Sequence, residues 1–171
     1  MRLPSLMCAA ALLAAPAPAL ALATPTKPVD LSRYAGRWYE IARVYNIPER
    51  DCLASTIDYG RDDKGNVSVV ETCRTARGVK VYRPRLRILD PGTNTRLRLT
   101  FYFVVSKDYL VMDHADDYSW AILNEPSGRW FWVFARRPDL PEPQKSRIVA
   151  RAKSFGYDAK RQIIYDQPQA R

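Results

Sequence analysis

The body of the chain is dominated by short segments in which apolar and polar residues alternate. In residues 96–103, RLRLTFYF, the leucines and phenylalanines fall on one face and the arginines on the other, which is typical of a half-buried strand. Similar segments occupy residues 37–45, 52–59, 67–73, 79–88, 109–114, 118–123 and 130–136, separated by turn sequences such as RDDKGN, DPGTN and NEPSG. Eight consecutive strands predict an all-β, antiparallel up-and-down sheet that removes its edges by closing into an eight-stranded barrel.

Near the carboxyl end the periodicity changes to that of a helix. In PEPQKSRIVARAKSFGYD the apolar residues Ile148, Ala152 and Phe155 recur at helical spacing, two prolines stand at the start, and Gly156 supplies a stop. The following RQIIYD predicts one short final strand. The sequence therefore contains one amphipathic C-terminal helix.

Two of the predicted strands, residues 118–123 and 130–136, are apolar on both faces. A strand with the barrel interior on one side and a docked helix on the other has this composition. We therefore expect the helix to pack on the outside of the barrel against these strands.

A chain of 171 residues with 47% hydrophobic residues accommodates one domain. Residues 1–23 have an early arginine, an alanine- and leucine-rich apolar run and an A-x-A arrangement at Ala21 and Ala23, which predicts a cleaved secretory signal. Prolines interrupt this run, which argues against a membrane-spanning helix. The mature domain would comprise residues 24–171, exported to the periplasm or associated with the outer membrane.

Removing the signal leaves two cysteines, Cys52 and Cys73, which in an exported chain predict one disulfide. A zinc site is disfavoured because only His114 would join the two thiolates, whereas a structural site needs four ligands. We expect no metal and no cofactor. The formal charge of +9 could indicate nucleic-acid binding, but no matching motif is present and an exported protein rarely meets that partner.

The segment GRWYEIAR, residues 36–43, places Gly36 two positions before Trp38 at the start of the first predicted strand. An eight-stranded barrel encloses a space that side chains fill or that holds one small ligand. If one end is open, Trp38 is large enough to close the other, and Gly36 would let the preceding chain cross beneath the barrel.

Together with FARRP at residues 134–138, the segment GRWYEIAR resembles the lipocalin family, in its bacterial outer-membrane lipocalin and apolipoprotein D-like branch. The resemblance covers nearly the whole mature chain, including YSWAIL, WFWVFARRP and the helix with its trailing strand. It implies that Arg136 packs across Trp38 at the closed end, as a guanidinium over an indole face. It also implies binding and transport or storage of a small lipophilic ligand.

Alternation along the strands and the facing pattern of the family together predict the residues that line the cavity. They are Ile57, Val69, Leu97, Leu99, Phe101, Leu110, Met112, Trp130, Trp132 and Phe134. This apolar and aromatic set suits a fatty acid or a lysophospholipid, although the same residues could simply fill a core. Glu40 shares a face with Trp38, and either a structural ion pair or a polar contact to ligand would satisfy its carboxylate.

A lipid-modifying enzyme on the same barrel is the alternative function. Against it, the sequence has no G-x-S-x-G motif, His114 is the only histidine, and a Cys52–Cys73 disulfide would leave no thiol nucleophile. We therefore expect a binding protein rather than an enzyme. The sequence does not specify an oligomeric state.

Four arginines occupy the outward positions of the fourth and fifth predicted strands. A hairpin centred on DPGT would set Arg87 opposite Arg96 and Arg85 opposite Arg98, and like charges directly opposite one another are destabilising. Two interpretations remain open: a solvated face relieved by acidic neighbours or counterions, and a contact surface for the head groups of an anionic membrane.

Overall fold

The computed structural model of the chain describes residues 23–25, 27–61, 63, 67–156 and 161–165. Apart from Ala23, the predicted signal lies outside the described residues. The helices are α1 Leu31–Tyr34 and α2 Glu142–Lys153. The strands are β1 Gly36–Val44, β2 Ala54–Arg61, β3 Val67–Thr75, β4 Gly78–Tyr82, β5 Arg85–Ile88, β6 Arg96–Phe101, β7 Val105–His114, β8 Trp120–Asn124, β9 Phe131–Ala135 and β10 Ile163–Tyr165.

The strands form one antiparallel sheet in the order β4-β3-β2-β1-β9-β8-β7-β6-β5, and β10 adds to β1 through pairs such as Ala42 with Tyr165. The hydrogen-bonded path begins at β4 and ends at β5, which follow each other in the chain. The sheet curls until β5 approaches β3. The predicted antiparallel up-and-down barrel is confirmed.

The described chain has ten strands rather than the eight predicted for the barrel. One addition is the short final strand β10, which was predicted. The other arises because residues 79–88 are not one strand but two, separated at Arg83 and Pro84. Proline has no N–H to donate to a neighbouring strand, so Pro84 interrupts the ladder.

The hairpin between β6 and β7 also differs from the prediction. β6 ends at Phe101, and Tyr102, Phe103 and Val104 form a turn that returns the chain to Val105, the partner of Phe101. The alternation of RLRLTFYF continues past the point where the strand stops, so the extension of the strand to Phe103 was wrong.

Two apolar cores lie on the two sides of β8 and β9. Trp132 and Phe134 point into the barrel and join an interior cluster with Trp38, whereas Phe131 and Val133 point outward. The outward residues form a helix cluster with the apolar face of α2. These strands are apolar on both faces because one face lines the barrel interior and the other contacts α2, as predicted. The helix packs outside the barrel as expected.

The short helix α1 was not predicted. Asp30 caps it by accepting hydrogen bonds from the backbone N–H groups of Ser32 and Arg33, a common arrangement at a helix amino terminus. The helix carries Tyr34 under the barrel, where its ring centroid lies 5.0 Å from that of Trp38. No helix among the described residues is both long and apolar enough to cross a membrane.

Cys52 and Cys73 form the predicted disulfide, with their Cα atoms 5.4 Å apart. It joins the loop after β1 to β3 across a separation of 21 residues. In the chain-entropy description, closing a loop of that size stabilises the fold by about 3 kcal/mol. The disulfide thereby holds the β1–β2 loop against the barrel wall.

Candidate functional site

The end of the barrel beneath β1 is closed by Trp38. Its side chain is fully buried, its indole N–H donates to the Tyr34 carbonyl at 2.8 Å, and the guanidinium carbon of Arg136 lies 3.8 Å from its ring centroid. The packing of Arg136 on Trp38 that the family resemblance implied is present in the structure. A guanidinium in this position combines a cation–π contact with several hydrogen-bond donors.

Arg136 also ties the incoming chain to the barrel floor. Its two terminal nitrogens donate to the carbonyls of Arg33 and Ala35, each at 2.8 Å, and to the carbonyl of Arg37 at 2.8 Å. Gly36 lies between these acceptors with φ +96°, and a Cβ atom there would lie 3.3 Å from Arg136 Nη1. Glycine is required because the backbone is left-handed and because the guanidinium passes so close.

Above Trp38 the interior is almost filled. The remaining space is a cavity of about 20 Å³, close to the room needed by a single water molecule. Five of the predicted cavity residues border it: Ile57, Leu97, Leu99, Trp132 and Phe134. At this depth the alternative interpretation, that these residues fill a core, describes the packing better than a ligand chamber.

A larger cavity of about 280 Å³ lies toward the open end, near the lower limit for small-molecule sites. Three predicted residues, Phe101, Trp130 and Trp132, line it. The other lining residues, which alternation alone did not identify, are Asn46, Pro48, Glu49, Cys52, Glu71, Tyr82, Tyr102, Val105, Lys107, Tyr109 and Glu125. Most of its aromatic wall therefore comes from residues near strand ends and from tyrosines on the inner face.

Three of the predicted cavity residues border neither cavity. Val69 is buried within the interior cluster. Leu110 and Met112 pack instead with the helix cluster on the outer face, while Tyr109 and Val111 belong to the interior cluster. The prediction that Leu110 and Met112 face inward was therefore wrong.

The error in β7 has a physical cause. The prediction placed the apolar Leu110 and Met112 inside, but α2 creates a second apolar environment outside the barrel that accepts them. The alternation along this part of β7 is regular, with Tyr109 and Val111 inside and Leu110 and Met112 outside. The prediction therefore exchanged the two faces of the strand.

Three carboxylates, Glu49, Glu71 and Glu125, line the open-end cavity. Glu71 of β3 and Glu49 of the β1–β2 loop also border the deep cavity. Burial, together with the negative charge of Glu49, raises the pKa of Glu71 to about 8. Glu49 is held in place by the indole N–H of Trp132, which donates to its Oε2 atom at 3.0 Å. At neutral pH, Glu71 is therefore mainly a neutral carboxylic acid in an aromatic wall.

Glu40 borders the deep cavity but forms an ion pair, one of the two interpretations that the sequence left open. Arg43 Nη1 lies 2.5 Å from Glu40 Oε1, and both side chains are almost completely buried. Arg43 also donates to the carbonyls of Glu49 and Cys52, at 3.0 and 2.9 Å. This buried arginine anchors the β1–β2 loop, and Glu40 balances its charge.

The four outward arginines have a different register from the one predicted. Arg87 pairs with Arg98, and Arg85 pairs with Thr100, so the predicted opposition of Arg87 to Arg96 and of Arg85 to Arg98 was wrong by two residues. The loop is longer than a DPGT turn because the Asp90 carboxylate accepts hydrogen bonds from the backbone N–H groups of Thr95 and Arg96.

An acidic side chain pairs with only some of these four arginines. Asp108 receives a two-pronged contact from Arg98, at 2.6 and 2.9 Å, and a longer contact from Arg96 at 3.3 Å. Arg85 makes a different contact, with its guanidinium carbon 4.5 Å from the ring centroid of Phe103. Arg96 and Arg98 are therefore paired with an acid, whereas Arg85 lies beside the hairpin between β6 and β7.

His114, the only histidine, lies away from both cavities. Its ring stacks on Tyr118 at 4.3 Å between centroids, and its two nitrogens lie 2.9 and 3.1 Å from the carbonyl oxygens of Ala115 and Pro28. These contacts place it among the groups that close the floor of the barrel. It is not positioned to act on a molecule in the open-end cavity.

Comparisons with known proteins agree with this architecture. A family profile described as a lipocalin-like domain matches residues 29–167. An outer membrane lipoprotein Blc of Vibrio cholerae is 26% identical over 148 residues, covering 85% of this chain and 86% of the relative. The Blc protein of Escherichia coli K12 is 28% identical over 159 residues, covering 87% and 90%. Among solved structures, insecticyanin from the tobacco hornworm Manduca sexta matches with a TM-score of 0.67 at 22% identity, covering 84% of this chain and 83% of that one.

Proposed function

Since this chain belongs to the lipocalin family, whose members generally bind small hydrophobic molecules, we propose that it holds such a ligand in the open-end cavity. One observation carries the proposal: a space of about 280 Å³ with aromatic walls remains at the open end, while the deeper interior is packed. Apolar walls with a few polar groups are typical of small-molecule sites. Binding would bury apolar surface of both partners.

The chemistry of the wall favours an acyl chain as the buried part of the ligand, as in a fatty acid or a lysophospholipid. Phe101, Trp130 and Trp132 supply apolar surface, and Lys107 stands among the lining residues as a cation for an anionic head group. Glu49 lies on the inner side beside the neutral Glu71, and its negative charge would repel the carboxylate of a fatty acid there. We therefore propose that the tail points inward and the head group remains at the mouth beside Lys107.

The cell envelope is the proposed place of action. The similar bacterial proteins are named outer membrane lipoproteins, and the predicted signal at residues 1–23 would direct export. A barrel that covers an acyl chain can store it or carry it through an aqueous compartment. We propose transport or storage of a lipid-derived molecule in this compartment.

Catalysis is not the proposed role. The cavity wall offers carboxylates, tyrosines and one lysine, but His114 lies at the opposite end of the barrel and the cysteine in the wall, Cys52, forms a disulfide with Cys73. A nucleophile paired with a base would be needed for lipid hydrolysis. Relatives of this family are generally binding proteins, which agrees with this interpretation.

The proposal predicts that affinity rises with the length of the acyl chain and then reaches a plateau. Each buried methylene contributes up to about 0.8 kcal/mol, which corresponds to roughly a fourfold change in Kd. Titrations of saturated fatty acids and lysophosphatidylcholines of increasing length, followed by fluorescence of Trp130 and Trp132, should show saturable changes and this trend. Absence of saturation, or equal Kd values for short and long chains, would contradict an acyl-chain site.

A further inference from the structure

The hairpin between β6 and β7 presents an apolar surface to solvent. Tyr102, Phe103 and Val104, here termed the apolar tip, are 71%, 75% and 81% exposed. Val105, the first residue of β7, is also exposed. Isolated apolar side chains are common on protein surfaces, but a continuous run of this kind marks a site of contact with a partner or a membrane.

The backbone of the tip gives a second, independent observation. Tyr102 and Phe103 have φ values of +49° and +65°, a region that large side chains rarely adopt and that short hairpins usually fill with asparagine, aspartate or glycine. The loop between β5 and β6 follows the usual rule, because its left-handed residue is Asn94. Two aromatic residues in this conformation at the tip serve something other than the turn, since smaller polar residues would form it more easily.

The tip borders the mouth of the open-end cavity. Tyr102 and Val105 belong to the cavity wall, as does Pro48 of the β1–β2 loop. Ile47, next to Pro48, is 68% exposed. Exposed apolar groups therefore rise from two separate loops around the same opening.

Basic side chains flank the apolar tip. The guanidinium carbon of Arg85 lies 4.5 Å from the ring centroid of Phe103, exposed Arg83 lies two residues earlier, and exposed Lys107 follows the tip on β7. These three residues are here termed the basic collar. Three nearby carboxylates are engaged elsewhere: Asp108 contacts Arg96 and Arg98, Glu125 accepts hydrogen bonds from Ser127, and Glu49 accepts a hydrogen bond from Trp132.

We infer that the apolar tip and the basic collar dock the mouth of the barrel onto an anionic phospholipid bilayer. Aromatic and aliphatic side chains enter the boundary between head groups and acyl chains, while arginine and lysine meet lipid phosphates just above it. The positive charge of the collar complements the negative charge of the lipid head groups, and the net formal charge of the chain, +9, is also positive. The inference is independent of the ligand proposal, but docking in this orientation would let a lipid pass between bilayer and cavity with little exposure to water.

Flotation with lipid vesicles tests the inference. The parent protein should float with vesicles of phosphatidylglycerol and phosphatidylcholine at low salt, and bind vesicles of phosphatidylcholine alone more weakly. The double variant Phe103→Asn with Val104→Ser should bind anionic vesicles about tenfold more weakly or worse, because it removes the inserted apolar surface. Arg85→Gln should weaken binding to anionic vesicles and reduce its sensitivity to salt.

A matched control removes exposed apolar surface at the closed end. Leu31 and Val67 are 41% and 46% exposed there, and the double variant Leu31→Ser with Val67→Ser should bind vesicles like the parent. Asparagine suits a positive φ, so the tip variant should resist urea at least as well as the parent. Equal vesicle binding by the tip variant and the parent, or no vesicle binding by the parent, would overturn the inference.

Sedimentation without lipid separates docking on a bilayer from docking on a second copy of the chain. We expect the parent and the tip variant to sediment alike. A parent dimer that the tip substitutions convert to a monomer would overturn the inference in favour of self-association. The tip variant should keep the Kd of the parent for lysophosphatidylcholine monomers in solution, so failure of docking and failure of ligand binding give different results.

Discussion

Replacing Arg136 with methionine should lower the free energy of unfolding by about 2 to 4 kcal/mol, because several carbonyl groups of the barrel floor lose their donor at once. The affected oxygens belong to Arg33, Ala35 and Arg37. Trp38 would also lose the cation above its ring. Urea denaturation followed by tryptophan fluorescence measures the change.

Arg137 provides the matched control because it is the neighbouring residue in the chain. Its exposed guanidinium contacts only the exposed Asp139 in the described structure, and surface pairs of this kind contribute little. Arg137→Met should therefore change stability by less than about 0.5 kcal/mol. Arg136→Lys should fall between the parent and Arg136→Met, since an ammonium keeps the charge but loses the forked geometry. Equal effects at positions 136 and 137 would show that the floor does not depend on Arg136.

Stability should fall as pH rises through neutrality, and Glu71 should be the cause. Its pKa is raised to about 8 in the folded state by burial and by the charge of Glu49, whereas its ordinary value is 4.5. Between these two values the folded chain binds more protons than the unfolded chain, so the free energy of unfolding decreases with pH. The decrease from about pH 5 to pH 9 should be about 2 to 4 kcal/mol.

Glu71→Gln should remove most of this pH dependence and make the protein more stable than the parent above pH 8. Glu142→Gln is the control, because Glu142 is exposed and Lys145 lowers its pKa. The carboxyl group of Glu142 finishes titrating well below neutral pH. Its replacement should therefore leave the change of the free energy of unfolding with pH unaltered between about pH 6 and pH 9. Urea titrations across this range would contradict the assignment if the parent and Glu71→Gln kept parallel slopes.

The sequence predicted the barrel well where both faces of a strand carried a clear signal. In β9, Trp132 and Phe134 alternate with Phe131 and Val133. The first pair packs in the barrel interior and the second pair packs against α2. β7 was harder to interpret, because α2 offers Leu110 and Met112 an apolar contact outside the barrel. Hydrophobicity alone could not show which residues of β7 face the barrel interior.

Register and cavity volume depend on contacts that alternation does not encode. Asp90 reaches across its loop to the backbone of Thr95 and Arg96 and so shifts the pairing of β5 with β6. Leu97 and Leu99 face the interior as predicted, yet the space beside them is nearly closed. The open-end cavity is lined instead by residues such as Tyr82, Tyr109 and Glu71, which carry polar groups and so were not selected by a search for alternating apolar residues.

The contrast between Phe101→Ala and Leu110→Ala tests the location of the ligand site most directly. Both side chains are half-buried, and alternation assigned both to the cavity, but only Phe101 lines it in the structure. In titrations with a long-chain lysophosphatidylcholine, Phe101→Ala should raise Kd by about tenfold, and Leu110→Ala should leave it within about twofold of the parent. Equal effects of the two substitutions, or no saturable binding by the parent, would contradict a ligand site at the open end.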